Sequence, residues 1–350
     1  LLNPTQFRDL VSGRRRGIGA TLLRCFLRLV EVFYTAAVRR RNRQFDQGKR
    51  ETHRMAIPVI SVGNLTLGGT GKTPMVEWLV RWIQAQEVQV GVVSRGYGAA
   101  RGDRNDEAME LAQKLPNVPH IQNPDRVAAA REAVTKYGCQ AIVLDDGFQH
   151  RRIGRDFDIV LLDALEPFGF GHVFPRGTLR EPLEGLGRAD VVVLTRADLL
   201  DPEHRETIWT QVKRYAPKAT HAEAIHAPWR LLSASGTESP LSSLRGQPVA
   251  VFCGIGNPEG FRHTVETCGC RIVGFRPFAD HHRYTQADID SLSAWADSLE
   301  ASTVLCTCKD LVKLPTDQLG NRPLHAIDIE LEFLTGQSAL ESELSTLLSV

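Results

Sequence analysis

No run in the 350-residue sequence is long and apolar enough for a membrane-spanning helix. The nearest, 17–38, is broken by Arg24, Arg28 and Glu31. No cleavable signal pattern, low-complexity tract or internal repeat is found. Charge of one sign is also lacking. The 42 Lys and Arg offset 41 Asp and Glu to leave +1, so no global basic field argues for nucleic acid as a partner. A disulfide framework is excluded by seven cysteines, an odd number without framework spacing, and a reducing cytosol is expected. Two C-x-C pairs, Cys268/Cys270 and Cys306/Cys308, admit a metal site. Alternation in an apolar run would instead put both sulfurs on one strand face, where cysteine behaves as a small hydrophobe; a buried-core role is expected.

The segment 17–38 has a pattern of its own. Thr21, Arg24, Arg28, Glu31 and Thr35 form one stripe, while Leu22, Leu23, Phe26, Leu27, Leu29, Val30, Phe33 and Tyr34 form a wide apolar face. Arg14, Arg15 and Arg16 lie at one end and Arg39, Arg40, Arg41 and Arg43 at the other. Such an amphipathic helix can lie in the headgroup plane of an anionic membrane, or pack its apolar face on its own domain. The pattern alone leaves both open.

From residue 57 onward, short apolar runs alternate with helical patterns. Strands are expected over 58–62, 88–93, 141–144, 158–162 and 191–194, and helices over 73–85 and 125–137. Several runs are continuously apolar rather than alternating, as in a parallel sheet covered on both faces. The fold class expected is α/β: a doubly wound, mostly parallel sheet of P-loop NTPase type. A looser stretch over 226–247 is followed by a second, smaller α/β lobe. Its strands are expected at 249–253, 271–275 and 303–307, and its helices at 258–267 and 286–299.

The strongest chemical signal is Gly63-Asn64-Leu65-Thr66-Leu67-Gly68-Gly69-Thr70-Gly71-Lys72-Thr73, directly after a strand and before a helix. Glycines let backbone N–H groups turn toward phosphate oxygens, and the helix N-terminus adds positive potential. Residues Thr66 to Thr73 would hold the nucleotide phosphates, with Lys72 on the β/γ-phosphates and the Thr73 hydroxyl on Mg²⁺. The usual first glycine of such a loop falls here on Thr66. Asp145-Asp146-Gly147-Phe148-Gln149-His150 ends an apolar strand downstream, where a Mg²⁺-associated carboxylate belongs. Ser94-Arg95-Gly96-Tyr97-Gly98 ends another strand, where the binding crevice of such sheets lies; anion handling and a plain turn both fit it. Asp280-His281-His282 admits a base pair, a metal site or a solvated loop.

Together these segments resemble one family, the tetraacyldisaccharide 4′-kinases, which phosphorylate the lipid A disaccharide 1-phosphate precursor to lipid IVA. The resemblance runs through Pro175-Arg176-Gly177-Thr178-Leu179-Arg180-Glu181-Pro182, Gly254-Ile255-Gly256-Asn257-Pro258 and Phe278-Ala279-Asp280-His281-His282. It implies a membrane-associating segment over 1–50, a P-loop kinase core over 51–240 and a smaller lobe over 241–350. ATP and Mg²⁺ are the implied cofactors. The implied location is the cytoplasmic face of the bacterial inner membrane, reached through the N-terminal helix on an anionic surface.

The family's catalytic aspartate lies in Gly-Asp-Glu-Pro. The nearest match is Asn105-Asp106-Glu107-Ala108, which implies Asp106 as the base and His281 as its partner. Arg126, Arg180 and His150 fall where the family has active-site residues, and Thr307-Cys308-Lys309-Asp310 stands where it usually has Thr-Glu-Lys-Asp. Thr73 with Asp145 or Asp146 would hold the metal. The alternative is a P-loop regulatory or metallochaperone GTPase. Against it, the position before Gly68-Gly69 is Leu67 rather than the lysine of such loops, and Thr195-Arg196-Ala197-Asp198 only echoes a guanine motif. A soluble small-molecule kinase or ligase would give the amphipathic helix no role beyond packing.

Overall fold

The computed structural model describes residues 4–96, 106–280, 282–314 and 316–349. It opens with helices α1 (Pro4–Val11) and α2 (Ile18–Asp46), then strand β1 (Val59–Asn64), helix α3 (Lys72–Ala85) and strand β2 (Val90–Ser94). Helix α4 (Asp106–Lys114), β3 (His120–Gln122), α5 (Arg126–Tyr137), β4 (Ala141–Asp145), β5 (Phe157–Asp163) and β6 (Val191–Thr195) follow. Next are α6 (Pro202–Tyr215), β7 (Thr220–Leu232), β8 (Glu238–Pro240), β9 (Pro248–Cys253), α7 (Pro258–Thr267) and β10 (Arg271–Pro277). The chain ends with α8 (Gln286–Ser298), β11 (Thr303–Thr307), α9 (Cys308–Leu311), β12 (Gln318–Leu319), β13 (Arg322–Thr335) and α10 (Gln337–Leu348). Two compact units result, one of residues 1–95, 119–225 and 333–350, the other of 96–118 and 226–332.

In the first unit the strand order is β7-β6-β5-β1-β4-β2-β3, and every neighbouring pair is parallel. Strands β1, β2, β4 and β6 are buried along their whole length, which is why their sequences are rich in Val, Ile and Leu rather than alternating. Helix α5 starts where the Asp125 carboxylate accepts from the amides of Val127 and Ala128, and stops at Gly138 in the left-handed region. The doubly wound class read from the sequence holds.

Helix α2 inverts the usual amphipathic arrangement. Its polar stripe faces the protein: Glu31 is buried, accepts from the Val173 amide at 2.9 Å and pairs with Arg28 and His172. Asn42 donates to Glu181, Arg39 pairs with Glu184, and the Tyr34 hydroxyl donates to the Arg180 carbonyl. The apolar face is left outside, with Leu22 66%, Phe26 60% and Phe33 70% exposed. Only a small part of that face packs on its own unit: Leu23 and Leu27 are half-buried, and the Tyr34 ring lies 5.9 Å from that of Phe174. No helix among the described residues is long and apolar enough to cross a membrane.

The second unit has a parallel sheet in the order β10-β9-β11-β13. Alternate residues of β9 enter different cores: Ala250 and Phe252 pack with Leu292, Val304 and Cys306, while Val249, Val251 and Cys253 pack with Phe261, Val265 and Leu305. Helix α4 is tied to β13 by a buried ion network, in which Lys114 Nζ lies 2.6 Å from Asp328 and 3.4 Å from Glu110. Arg230 holds the second Asp328 oxygen at 3.0 Å.

Two expectations are corrected. The stretch 226–247 is not simply loose. Strand β7 runs on to Leu232 through Pro228 and pairs antiparallel with β8, because Leu231 and Leu232 find buried positions. The Cys268/Cys270 pair lies on no strand face, since it brackets the turn from α7 into β10 and is half-buried. Cys306 and Cys308 are buried, and burial pushes both thiols well up. Among the described residues no group of three or more His, Cys, Asp or Glu is arranged for a metal.

Candidate active site

The site of the first unit grows from the C-terminal ends of adjacent parallel strands. Strand β1 leads into the glycine-rich loop, and β4 beside it ends at Asp145, in register with Val62. The loop turns into α3 at Gly71, whose φ of 85° places it in the left-handed region. Its backbone is held from three sides. The Leu67 amide donates to Thr178 at 2.7 Å, the Arg180 amide donates to Leu65 at 2.7 Å, and the Thr195 hydroxyl donates to the Thr70 carbonyl at 3.0 Å. Asn64 Nδ2 donates to the Thr66 carbonyl at 2.9 Å, which explains the asparagine within the motif.

The Asp-Asp-Gly-Phe-Gln-His segment fits against β1 because two glycines permit it. A Cβ on Gly63 would stand 2.6 Å from Phe148 Cβ, and one on Gly147 would stand 2.7 Å from Leu144 Cβ. This approach seats Asp146, with φ at 55°, among cations. Arg180 Nη1 donates to both Asp146 oxygens at 2.8 Å, and Lys72 Nζ lies 3.6 Å away. Burial alone would raise the Asp146 pKa, but Lys72, Arg180 and Arg126 overcome it and hold it below the ordinary carboxylate value.

Arg126 opens α5 and is buried, its Nη2 donating at 3.4 Å to the carbonyls of both Asp145 and Asp146. Its Nε is buried without a partner. Burial lowers the guanidinium pKa, against the pull of Asp146 and Asp145. His150 is pushed from 6.5 to about 4 by burial and by Arg126, Arg152 and Arg155, so it is neutral at pH 7. Between about 6.5 and 4 the unfolded chain binds a proton there that the folded chain refuses. Stability should therefore fall as pH drops through that window. His150→Asn should make the fall shallower in urea titrations at stepped pH, and an unchanged slope would contradict the assignment.

Lys72, Asp145, Asp146, Arg126 and Arg180, read from the sequence, thus come together in this unit. Thr66, Thr70 and Thr73 are buried in the loop, and the Thr70 hydroxyl oxygen has no partner. Leu67, Gly68, Gly69 and Gly71 form the rest of it. Asp106 is the first residue of α4 in the second unit, and its side chain, like that of Glu107, lies outside the described residues. His281, Tyr97, Gly98 and Asn105 also lie outside them. The sequence reading missed Glu181. It is fully buried and accepts from Asn42, Gln149 and Arg188 at 2.8–3.1 Å, and Gln149 also donates to the Asn64 carbonyl. Its position between Arg180 and Pro182 in a recurring motif was the available signal.

A phosphate loop opening a helix, a strand-end acid pair and two arginines beside it, at the C-terminal ends of one parallel sheet, define a nucleotide-binding α/β protein of the P-loop class. Comparison with known proteins narrows this. A family model, tetraacyldisaccharide-1-P 4′-kinase, matches residues 23–349. The tetraacyldisaccharide 4′-kinase of Anaeromyxobacter sp. (strain K) is 37% identical over 95% of this chain and 91% of its own. That of Syntrophus aciditrophicus (strain SB) is 37% identical over 84% and 85%. A crystal structure described as the "apo" form of LpxK from Aquifex aeolicus in complex with ATP superposes with a TM-score of 0.75. It is 27% identical and covers 93% of this chain and 99% of that one. The chain belongs to the tetraacyldisaccharide-1-P 4′-kinase family. The GTPase alternative is set aside.

Proposed function

We propose that the chain transfers the γ-phosphoryl group of ATP to the 4′-hydroxyl of a tetraacyldisaccharide 1-phosphate, giving lipid IVA, with the residues above as its machinery. The observation that carries this is the Lys72–Asp146–Arg180 cluster at the mouth of the phosphate loop. Phosphoryl transfer asks little covalent chemistry of a protein, so positioning and charge neutralisation dominate. Residues Thr66 to Thr73 hold the phosphates, and Arg126 and Arg180 stabilise charge on the group in flight. Asp106, oriented by His281, takes the proton of the sugar hydroxyl.

The donor set suits Mg²⁺: the Thr73 hydroxyl and the strand-end carboxylates of Asp145 and Asp146 are hard oxygens, and this ion needs only one or two protein oxygens beside substrate phosphates. Bound there, Mg²⁺ would neutralise phosphate charge. Incubation with γ-labelled ATP and the lipid disaccharide 1-phosphate should give a 4′-phosphorylated product. Nucleotide hydrolysis without transfer would overturn the reading.

The exposed apolar face of α2, flanked by arginines, suits a peripheral seat on an anionic membrane, the cytoplasmic face of the inner membrane. Changing Phe26, Val30 and Phe33 together to Ser should weaken binding to anionic vesicles and raise KM for long-chain lipid. The melting temperature should stay nearly unchanged, since these side chains touch solvent. A large drop in melting temperature with unchanged vesicle binding would contradict this.

A further inference from the structure

The Thr307-Cys308-Lys309-Asp310 motif has no task in the site described so far. Asp310 is wholly buried, and its carboxylate gathers donors from three segments of the second unit. The Gly254 amide reaches both oxygens at 3.1 Å, the Tyr284 hydroxyl donates at 3.0 Å, and the Thr307 hydroxyl at 2.6 Å. Asp310 and Thr307 also cap α9, since the Asp310 amide donates back to Thr307 Oγ1 at 3.2 Å. Burial, and then the charge of Asp310, push the Tyr284 hydroxyl well up, so it stays protonated and remains a donor.

Both tied segments bear on Asp280 and His282. Gly254 starts the Gly-Ile-Gly-Asn-Pro turn. A Cβ placed on it would stand 3.0 Å from Asp310 Oδ1, 3.2 Å from the Tyr284 hydroxyl and 3.2 Å from His282 Cβ. A Cβ on Gly256 would stand 3.1 Å from Asp280 Oδ2. The residues on either side of His281 therefore both rest on the turn that Asp310 holds. The second histidine is committed to packing. The His282 ring lies 4.7 Å from that of Phe278 and 4.9 Å from that of Tyr284, with Nε2 3.2 Å from Asp288. Beyond it the chain enters the Thr285–Asp288 capping box of α8. Before it the Phe278 amide donates to the Cys253 carbonyl at 2.7 Å.

We propose that Asp310 is a positioning residue for phosphoryl transfer: by binding Gly254 and Tyr284 at once, it fixes the supports of Asp280 and His282, the neighbours of His281 in sequence. The inference rests on the reading of His281 as the partner of Asp106. Asp310 touches no reacting atom in this scheme. Its loss should lower the rate of the chemical step and leave ATP binding alone. A misplacement of about 1 Å at a reacting group costs about 10²-fold.

The test is single-turnover transfer at saturating ATP and lipid for the wild type, Tyr284→Phe, Asp310→Asn, His281→Ala, and Tyr284→Phe and Asp310→Asn each combined with His281→Ala. Tyr284→Phe removes only one hydroxyl, so it decides the matter should Asp310→Asn fail to fold. Both variants should slow transfer by about 10–10²-fold with an unchanged KM for ATP, and neither should slow it further when His281 is already alanine. Wild-type rates in folded Tyr284→Phe, or losses that multiply with that of His281→Ala, would overturn the inference alone. A wild-type rate in His281→Ala would overturn the reading of His281, and the inference with it.

Discussion

Lys72→Ala should lower kcat by about 10²–10³, the cost of removing one preorganised group that meets charge in the transition state. Lys72 opens α3, and its Nζ lies 3.6 Å from Asp146. The neighbours that hold the loop backbone, Thr178, Arg180 and Thr195, do so without it. The substitution should lower the melting temperature by a few degrees at most, since it removes one charged partner of Asp146 but no core side chain. It should also raise KM for ATP, because in the proposed role the ammonium would bind the ground-state phosphates too. Asp146 keeps Arg180 on both oxygens and remains ionised. Steady-state kinetics together with a thermal melt would check this. A folded variant that keeps most of its turnover would remove the phosphate-loop assignment.

The parts of this protein legible in its sequence share a physical reason. Strands β1, β2, β4 and β6 are covered on both faces, so burial forces continuous apolar runs that a reader can see. The phosphate loop is legible because close approach of Phe148 at Gly63 and a left-handed φ at Gly71 leave glycine as the residue that fits. Helix α2 marks the limit. Periodicity gives two faces but not which one turns inward, and here the polar face does, through Glu31 and Asn42. The path of β7 past Pro228 was hidden because proline usually argues against a strand interior. The return of 333–350 to the first unit, where Trp78 meets Phe333 at 4.9 Å, rests on long-range packing that has no local signature. The same holds for Arg126, whose contacts are backbone carbonyls nearly twenty residues away in sequence. The roles of Asp106 and His281 came from the family resemblance alone.

We propose that Asp106 and His281 act as one unit on the sugar hydroxyl while the phosphate loop holds ATP. The pair and the phosphate-loop residues should separate kinetically, since the pair is assigned to the sugar hydroxyl and the loop to the nucleotide. Asp106→Ala should lower kcat by about 10²–10⁴, the usual contribution of general base catalysis, with KM for ATP little changed. His281→Ala should cost a comparable factor. The direct measurement is single-turnover transfer by the wild type, the two single variants and the double variant, at saturating ATP and lipid. If the pair is a unit, the double variant is scarcely slower than the worse single one. Near-normal transfer by Asp106→Ala, with a loss in the double variant equal to that of His281→Ala, would contradict the account and move the base to Glu107 or to the Asp145–Asp146 pair.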